Sequence, residues 1–369
     1  MTDAVTRAES EQTAVLPARS DAGEPVFSVL VKRTYDIRVR REAVRAERSR
    51  PILLTDTYYD DGDPLTTTVE HESDLVPYKL ATDVVLIARA VAPDGRPVYH
   101  MDVAARVGNS VKTLRVTGDR QCLFRDGLAP AVTDPVPFTE MPIRYERAYG
   151  GRDLVSLPGL EFYYPRNHHG TGVAVRNIPE AVHGLRMPNV EHPADLLTPE
   201  RVILGEPERW NLQPLPHGFG WYHKTWYPRS SFVGAMPQFV DSNTRLREES
   251  LGLVPERQIA LARQFKLPSF DSRFYRGASL GLSMPYLEGG ERVVLAGLTD
   301  DGELEFSLPR DTPSIGLDIG FGMKTPEVVL QTVTIRVDDR ELDLVWRGAH
   351  PYPGVDWLPE MKTLTLEVT

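Results

Sequence analysis

Apolar and polar residues alternate with a period of two through much of this chain, the pattern of strands with one face buried. "FSVLVKRTYDIRV", residues 27 to 39, predicts one long strand. "DVVLIARAVA" (83–92), "VYHMDVAARV" (98–107) and "VKTLRVTGD" (111–119) predict three more. They are separated by "PDGRP" and "GNS", turn chemistry of the hairpin kind, so this region reads as a meander. The pattern returns after residue 290 in "ERVVLAGL", "GELEFSLP", "EVVLQTVTIRVDDRELDLVWRG" and "KTLTLEV", with "DDR" at 338–340 as a tight hairpin turn. One stretch has helical spacing, "PERQIALARQF". Pro255 stands at its N-terminus, Glu256 in its first turn, and Ile259, Leu261, Ala262 and Phe265 form an apolar face.

The expected fold is therefore mainly β, a β-rich α+β arrangement. Antiparallel sheets form a sandwich-like core with long irregular loops and one or two short helices. The 31 Pro and 28 Gly, spread along 369 residues, fit many short strands joined by turns. Residues 1–24 are polar without a sustained period and read as a disordered or loosely held arm. Residues 25–320 form the main domain: a meander to about 135, an irregular middle to about 250, then the helix and further strands. Residues 321–369 add a β hairpin and a last strand that pack on the same domain.

A formal charge of −10 disfavours a phosphate backbone as partner, so nucleic acid is not expected. The basic run "RREAVRAERSR" (40–50) could face an acidic partner, but a solvated turn or short helix is the commoner use of such a run. Single Cys122 allows no intramolecular disulfide and is most simply a packed thiol. With no signal peptide and no long apolar span in the sequence, the expected location is the cytoplasm, without a membrane partner.

"GASLG" at 277–281 matches the Gly-x-Ser-x-Gly pattern that carries the nucleophile of many serine hydrolases. That nucleophile needs a buried strand before it and a helix after it. Here "FDSRFYR" is too charged for the one, and "LSMPYLEGG" sets Pro285 and paired glycines where the other would run. Ser279 reads as a loop or strand-edge hydroxyl. His168, His169, His183, His192, His217 and His223 crowd together in the sequence, but none has the spacing of a metal motif, so no metal is expected unless the fold gathers them. Acid pairs such as Asp60–Asp61 and Glu248–Glu249, and "DDGD" at 60–63, read as surface features, and no phosphate-binding loop is present. No cofactor is expected.

The most distinctive stretch is "PFTEMPIRYERAYGGRD" (137–153), in which Arg144, Glu146, Arg147 and Asp153 suggest a local ion-pair network framing Tyr145 and Tyr149. With it go "SDLVPYKLATDVVL" (73–86), "APDGRPV" (92–98), "KTLRVTGDR" (112–120), "PNVEHP" (188–193), "WYPR" (226–229), "FDSRFY" (270–275) and "ERVVLAGLTDDGELEFSLP" (291–309). In order and spacing these closely resemble the bacterial family known as domain of unknown function 2169, over residues 27 to 320. The resemblance implies association with type VI secretion, as an adaptor or chaperone that helps an effector reach the spike, without an established catalytic residue. The implied partners are the cognate effector and spike proteins. Arg144, Tyr145, Glu146, Arg147, Tyr149, Asp153, Trp226, Arg229, Asp271 and Arg273 are the candidate contact or structural residues. The alternatives are a hydrolase or metal enzyme using Ser279 or the His168–His223 cluster, and a structural part of the secretion machine.

Overall fold

The computed structural model describes residues 10–20, 24–60, 67–233, 270–353, 361 and 364–369. In chain order the main strands are β1 (Gln12–Arg19), β2 (Pro25–Asp36), β3 (Val44–Arg45), β4 (Thr82–Ile87), β5 (His100–Val107), β6 (Ser110–Thr117) and β7 (Val190–Glu191). They continue with β8 (Ser283–Met284), β9 (Arg292–Ala296), β10 (Glu303–Ser307), β11 (Ile315–Asp318), β12 (Val328–Arg336), β13 (Glu341–Pro351) and β14 (Thr365–Val368). A seven-stranded sheet has the order β1-β2-β13-β12-β4-β8, with β3 also on β2, and faces a five-stranded sheet of order β7-β6-β5-β9-β10. β11 and β14 form a smaller antiparallel pair beside them.

The predicted strands are present, and the fold is β-rich, with several antiparallel sheets. The "DDR" hairpin joins β12 to β13, and "GNS" joins β5 to β6. The meander is corrected at its first member. β4 does not pair with β5; it runs parallel to β12 in the large sheet, Val84 opposite Val333. A parallel partner requires a crossover, so "PDGRP" leads out of the sheet, and Arg89–Val91 pairs instead with Glu140–Pro142. The arm is corrected as well. Gln12 to Arg19 form edge strand β1, paired from Gln12 with Lys32 to Arg19 with Pro25. Its sequence, QTAVLPAR, lacks period-two alternation and carries Pro17, which an edge strand tolerates, and this is why it did not announce a strand. Residues 1–9 and 21–23, and the helix predicted over 255–265, lie outside the described residues. Among those described, the one α-helix is the single turn Pro179–Val182.

Alternation along the strands of the large sheet separates two kinds of surface. Tyr35, Val84, Leu86, Val333, Ile335, Leu342, Leu344 and Trp346 point into the sandwich, where they meet Val103, Ala105, Leu114, Val116, Val293, Leu295, Leu304 and Phe306 of the small sheet. Phe27, Val29 and Val31 continue this face under Ile315 and Leu317 of β11. Burial of so many aliphatic side chains, each stabilising by about 1.5–3 kcal/mol before entropy is subtracted, gives the fold its main driving force.

The opposite face is buried as well, and among its apolar residues Leu30, Val85 and Val345 it carries a layer of paired charges. Lys32 donates to Asp74 at 2.8 Å and to the Pro51 carbonyl at 3.0 Å. Asp343 accepts from Thr34 at 2.7 Å and from Arg336 at 2.6 Å. Arg347 donates to the Asp74 carbonyl at 2.6 Å, and Lys79 pairs with Asp83 at 2.7 Å. The five charged residues on the sheet, Lys32, Asp83, Arg336, Asp343 and Arg347, and Lys79 beside them are withdrawn from solvent, Asp83 completely. Charges in such a place persist because each has a partner. The basic run at 40–50 is likewise engaged within the chain: Arg45 pairs with Glu11, and Arg50 with Asp339 and Glu341.

The irregular middle holds a core of its own. Tyr149, Tyr164, Val175, Val182, Met187, Leu197 and Val202 pack together on two-residue strands and 3₁₀ turns. Cys122 is buried here, with its Sγ 3.4 Å from the Met187 Sδ. No helix among the described residues is long and apolar enough to cross a membrane.

Candidate partner-binding site

The "IRYERAYGGRD" motif folds as a 3₁₀ turn (Tyr145–Arg147) followed by a glycine pair. Gly150 and Gly151 have φ of 146° and 105°, and a Cβ on Gly150 would stand 2.2 Å from the Asn167 carbonyl oxygen, so only glycine passes. Buried Asn167 fastens the turn, its side-chain amide donating to the carbonyls of Tyr145 (2.8 Å) and Tyr149 (3.1 Å).

The predicted ion-pair network within this motif is corrected. Its four charged residues diverge. Arg144 stacks on Tyr59 at 4.0 Å and reaches Asp60 at 3.8 Å. Glu146 accepts from the Thr68 amide at 2.7 Å and from the Thr67 and Thr68 hydroxyls. Arg147 reaches Asp119 at 3.3 Å and Asn189 at 3.1 Å. Asp153 accepts from the amides of Val155, Ser156 and Val175 and from the Ser156 hydroxyl. These hydrogen bonds outweigh its burial and hold its carboxyl below the usual carboxylate range. Consecutive residues on a tight turn point in different directions, so each charge ties the turn to a different segment.

Tyr145 and Trp226 are buried together with Tyr222 in an edge-to-face trio, ring centroids 5.2–5.7 Å apart. Tyr149 is buried against Tyr164 at 5.0 Å. Arg229 forks onto Glu72, with Nη2 2.9 Å from Oε2, and also donates to the carbonyls of Phe274 and Tyr222 at 2.7 Å each. Asp271 and Arg273, by contrast, pair with each other near the surface at 2.6 Å.

Ser279 is wholly buried in a turn. Its Oγ donates to the Gly220 carbonyl at 2.9 Å and lies 2.5 Å from the Tyr145 hydroxyl, which then serves as the donor. Burial pushes the Tyr145 phenol well above its ordinary pKa, so it keeps that proton. The glycine that opens "GASLG" is there for packing. A Cβ on Gly277 would lie 2.6 Å from the Trp221 ring and 2.7 Å from the Glu72 carboxylate, while its amide donates to Asp83 at 2.8 Å. The six histidines separate into the ring pairs His169–His223 (6.2 Å) and His192–His217 (5.0 Å), with His168 against Tyr163 and His183 exposed. Among the described residues no three His, Cys, Asp or Glu side chains converge on a point suited to a metal ion.

Beside this framework lies a cavity of about 440 Å³. Tyr222, Tyr227 and Phe232 supply its aromatic walls and Leu215, Pro216, Ala278 and Leu280 its aliphatic ones. Tyr227 and Leu280 stay 43% and 63% exposed, so the apolar lining continues onto the surface. Four arginines line the same cavity: Arg166, Arg229, Arg273 and Arg276. Arg229 and Arg273 are committed to Glu72 and Asp271. Arg166 lies over the Trp210 ring at 4.9 Å, and Arg276 has a buried Nε without a hydrogen-bond partner. The wall at Leu280 is held from the small sheet, where the buried ammonium of Lys112 donates to the Leu280 carbonyl at 2.7 Å. Burial lowers that ammonium's pKa to about 7.

The sequence pointed to Trp226, Arg229 and Arg273 of this region and missed Glu72, Arg166, Tyr222, Gly277 and Arg276. Glu72 has no local signature, because its partner is far along the chain. Gly277 had one, a glycine inside a conspicuous motif, but its reason is the close approach of Trp221.

Comparison with known proteins adds one assignment. No curated protein and no solved structure matches this chain. A family model matches residues 22–347, beginning at the strand that anchors the large sheet and ending within its C-terminal hairpin. The chain therefore belongs to the DUF2169 family, described as an uncharacterized protein conserved in bacteria.

Proposed function

We propose that this protein is a non-enzymatic adaptor or chaperone of the cytoplasm. It binds a type VI secretion effector and helps load it onto the secretion spike. The observation that carries the binding role is the cavity at Tyr227 and Leu280. It is an apolar concavity that opens to the surface and is lined by tyrosine and arginine, the residue types that anchor protein interfaces. A rigid frame supports it through the Arg229–Glu72 fork and the Tyr145–Tyr222–Trp226 trio. The residues that prompted an enzymatic reading have internal work: Ser279 is hydrogen-bonded to Tyr145 and Gly220. The type VI assignment comes from the resemblance of the motif set described above and supplies the identity of the partner.

The test is co-expression of the tagged protein with the effector encoded in its own gene cluster, followed by size-exclusion chromatography at moderate salt. The adaptor role requires the two to co-elute, and spike protein to join when added. Separate elution of all three, from preparations in which each is folded, would overturn it.

A further inference from the structure

We infer that the cavity between Tyr227 and Leu280 receives a short acidic segment of the partner protein. One apolar side chain enters the cavity, and flanking carboxylates meet Arg166 and Arg276. This rests on the adaptor reading and adds the chemistry of what is bound. A volume of about 440 Å³ suits one or two large side chains and not a folded domain, which points to an extended segment.

Charge selects among such segments. Of the four arginines, Arg229 and Arg273 already have carboxylates. Arg166 lies over Trp210, with only the Tyr164 hydroxyl at 3.4 Å, and Arg276 forms no salt bridge among the described residues, acting on Asp271 only through its field. Arg276 lines the cavity without a salt bridge of its own among the described residues, so an incoming carboxylate meets a guanidinium with hydrogen-bonding capacity to spare. Guanidinium groups prefer the planar fork of a carboxylate, and two of them beside an apolar wall repel a basic segment. The rest of the protein opposes nonspecific capture of acidic chains, since its formal charge is −10. An acidic partner is thus repelled broadly and accepted locally, an arrangement that yields specificity.

The experiment pans a random dodecapeptide library, displayed on phage, against the full chain. Enriched peptides should join an aromatic or large aliphatic residue to Asp or Glu. As synthetic peptides they should bind about tenfold more weakly to Arg276→Gln, as expected for one lost charge-assisted hydrogen bond. They should not bind measurably to Arg166→Gln/Arg276→Gln. Neither guanidinium makes a salt bridge, so Arg276→Gln should leave the melting temperature unchanged and the double variant should lose only what the Arg166–Trp210 contact contributes. Should the double variant melt early, Leu280→Asp, at an exposed wall position, carries the test with the same peptides. No enrichment, enrichment without acidic residues, or binding indifferent to these variants would overturn the inference. An effector that co-elutes equally with wild type and variants removes the cavity from the account and leaves the adaptor standing. An effector that never co-elutes removes the adaptor, whatever the peptides do.

Discussion

The two faces of the seven-stranded sheet come from the same strands and are buried to similar depth, yet they are held by opposite chemistry. Leu342, Leu344 and Trp346 of β13 enter a hydrocarbon core, whereas Asp343 and Arg347, between and beside them, enter a layer of ion pairs. Hydrocarbon packing is forgiving, because neighbours relax into lost volume. An ion layer is not, because each removed charge leaves its partner stranded. Strength on the second face therefore depends on completeness rather than on area.

The largest effect should come from stranding a charge. Asp343→Ala leaves Arg336 without its carboxylate and should cost roughly 3–5 kcal/mol in urea unfolding. Leu344→Ala, the next residue on the other face, should cost about 3 kcal/mol. A larger loss at Leu344 than at Asp343 would reverse the comparison. Lys79→Met, which isolates Asp83, should also cost about 3 kcal/mol, and adding Asp83→Asn should recover most of it, because the amide oxygen can still accept from Gly277. No recovery would mean that shape, not charge, matters at this pair.

Acid should act through the ionic side. Burial, with help from Arg336 and Lys32, pushes the pKa of His71 down to about 4, and burial, with His169 and Arg229, does the same to His223. An unfolded chain takes up these protons near pH 6.5 and the folded one near pH 4. Stability is then complete above about pH 6.5 and falls as pH drops toward 4, by up to about 1.4 kcal/mol per pH unit for each histidine. His71→Gln combined with His223→Gln should remove their share of that slope in urea titrations and leave that of His217, whose pKa burial lowers to about 3, and an unchanged slope would assign it elsewhere. The smallest effect is expected at the surface: Arg273→Gln removes the exposed partner of Asp271 and should leave the melting temperature where it was.

This contrast also explains what could be read in advance. Alternation marked β2, the β5–β6 hairpin and the β12–β13 hairpin correctly, because period two records which residues share a face. It could not say what covers that face. Lys32, Asp343 and Arg347 occupy positions that alternation assigns to solvent, but Pro51 and Asp74 lie over this face and bond to Lys32 and Arg347. The parallel pairing of β4 with β12 was equally hidden, since nothing local in "DVVLIARAVA" points to a strand so far along the chain. In the candidate site, Tyr145, Tyr149, Trp226 and Arg229 stood out by residue type; the structure places Tyr145, Trp226 and Arg229 inside the frame and Tyr149 in the core of the irregular middle. The groups that face the cavity, Arg166, Arg276 and Leu280, lie in separate stretches that only the fold assembles.

The β12–β13 hairpin occupies the middle of the large sheet, between β2 and β4. Earlier strands thus wait on the ribosome for strands made much later, as in the pairing of Val31 with Trp346. Until that hairpin emerges, β2 lacks its inner neighbour and β4 lacks its parallel one, and both present unpaired edges. Folding is consequently governed by long-range closure and slow, and the nascent chain is most exposed to aggregation while that hairpin is still to be made.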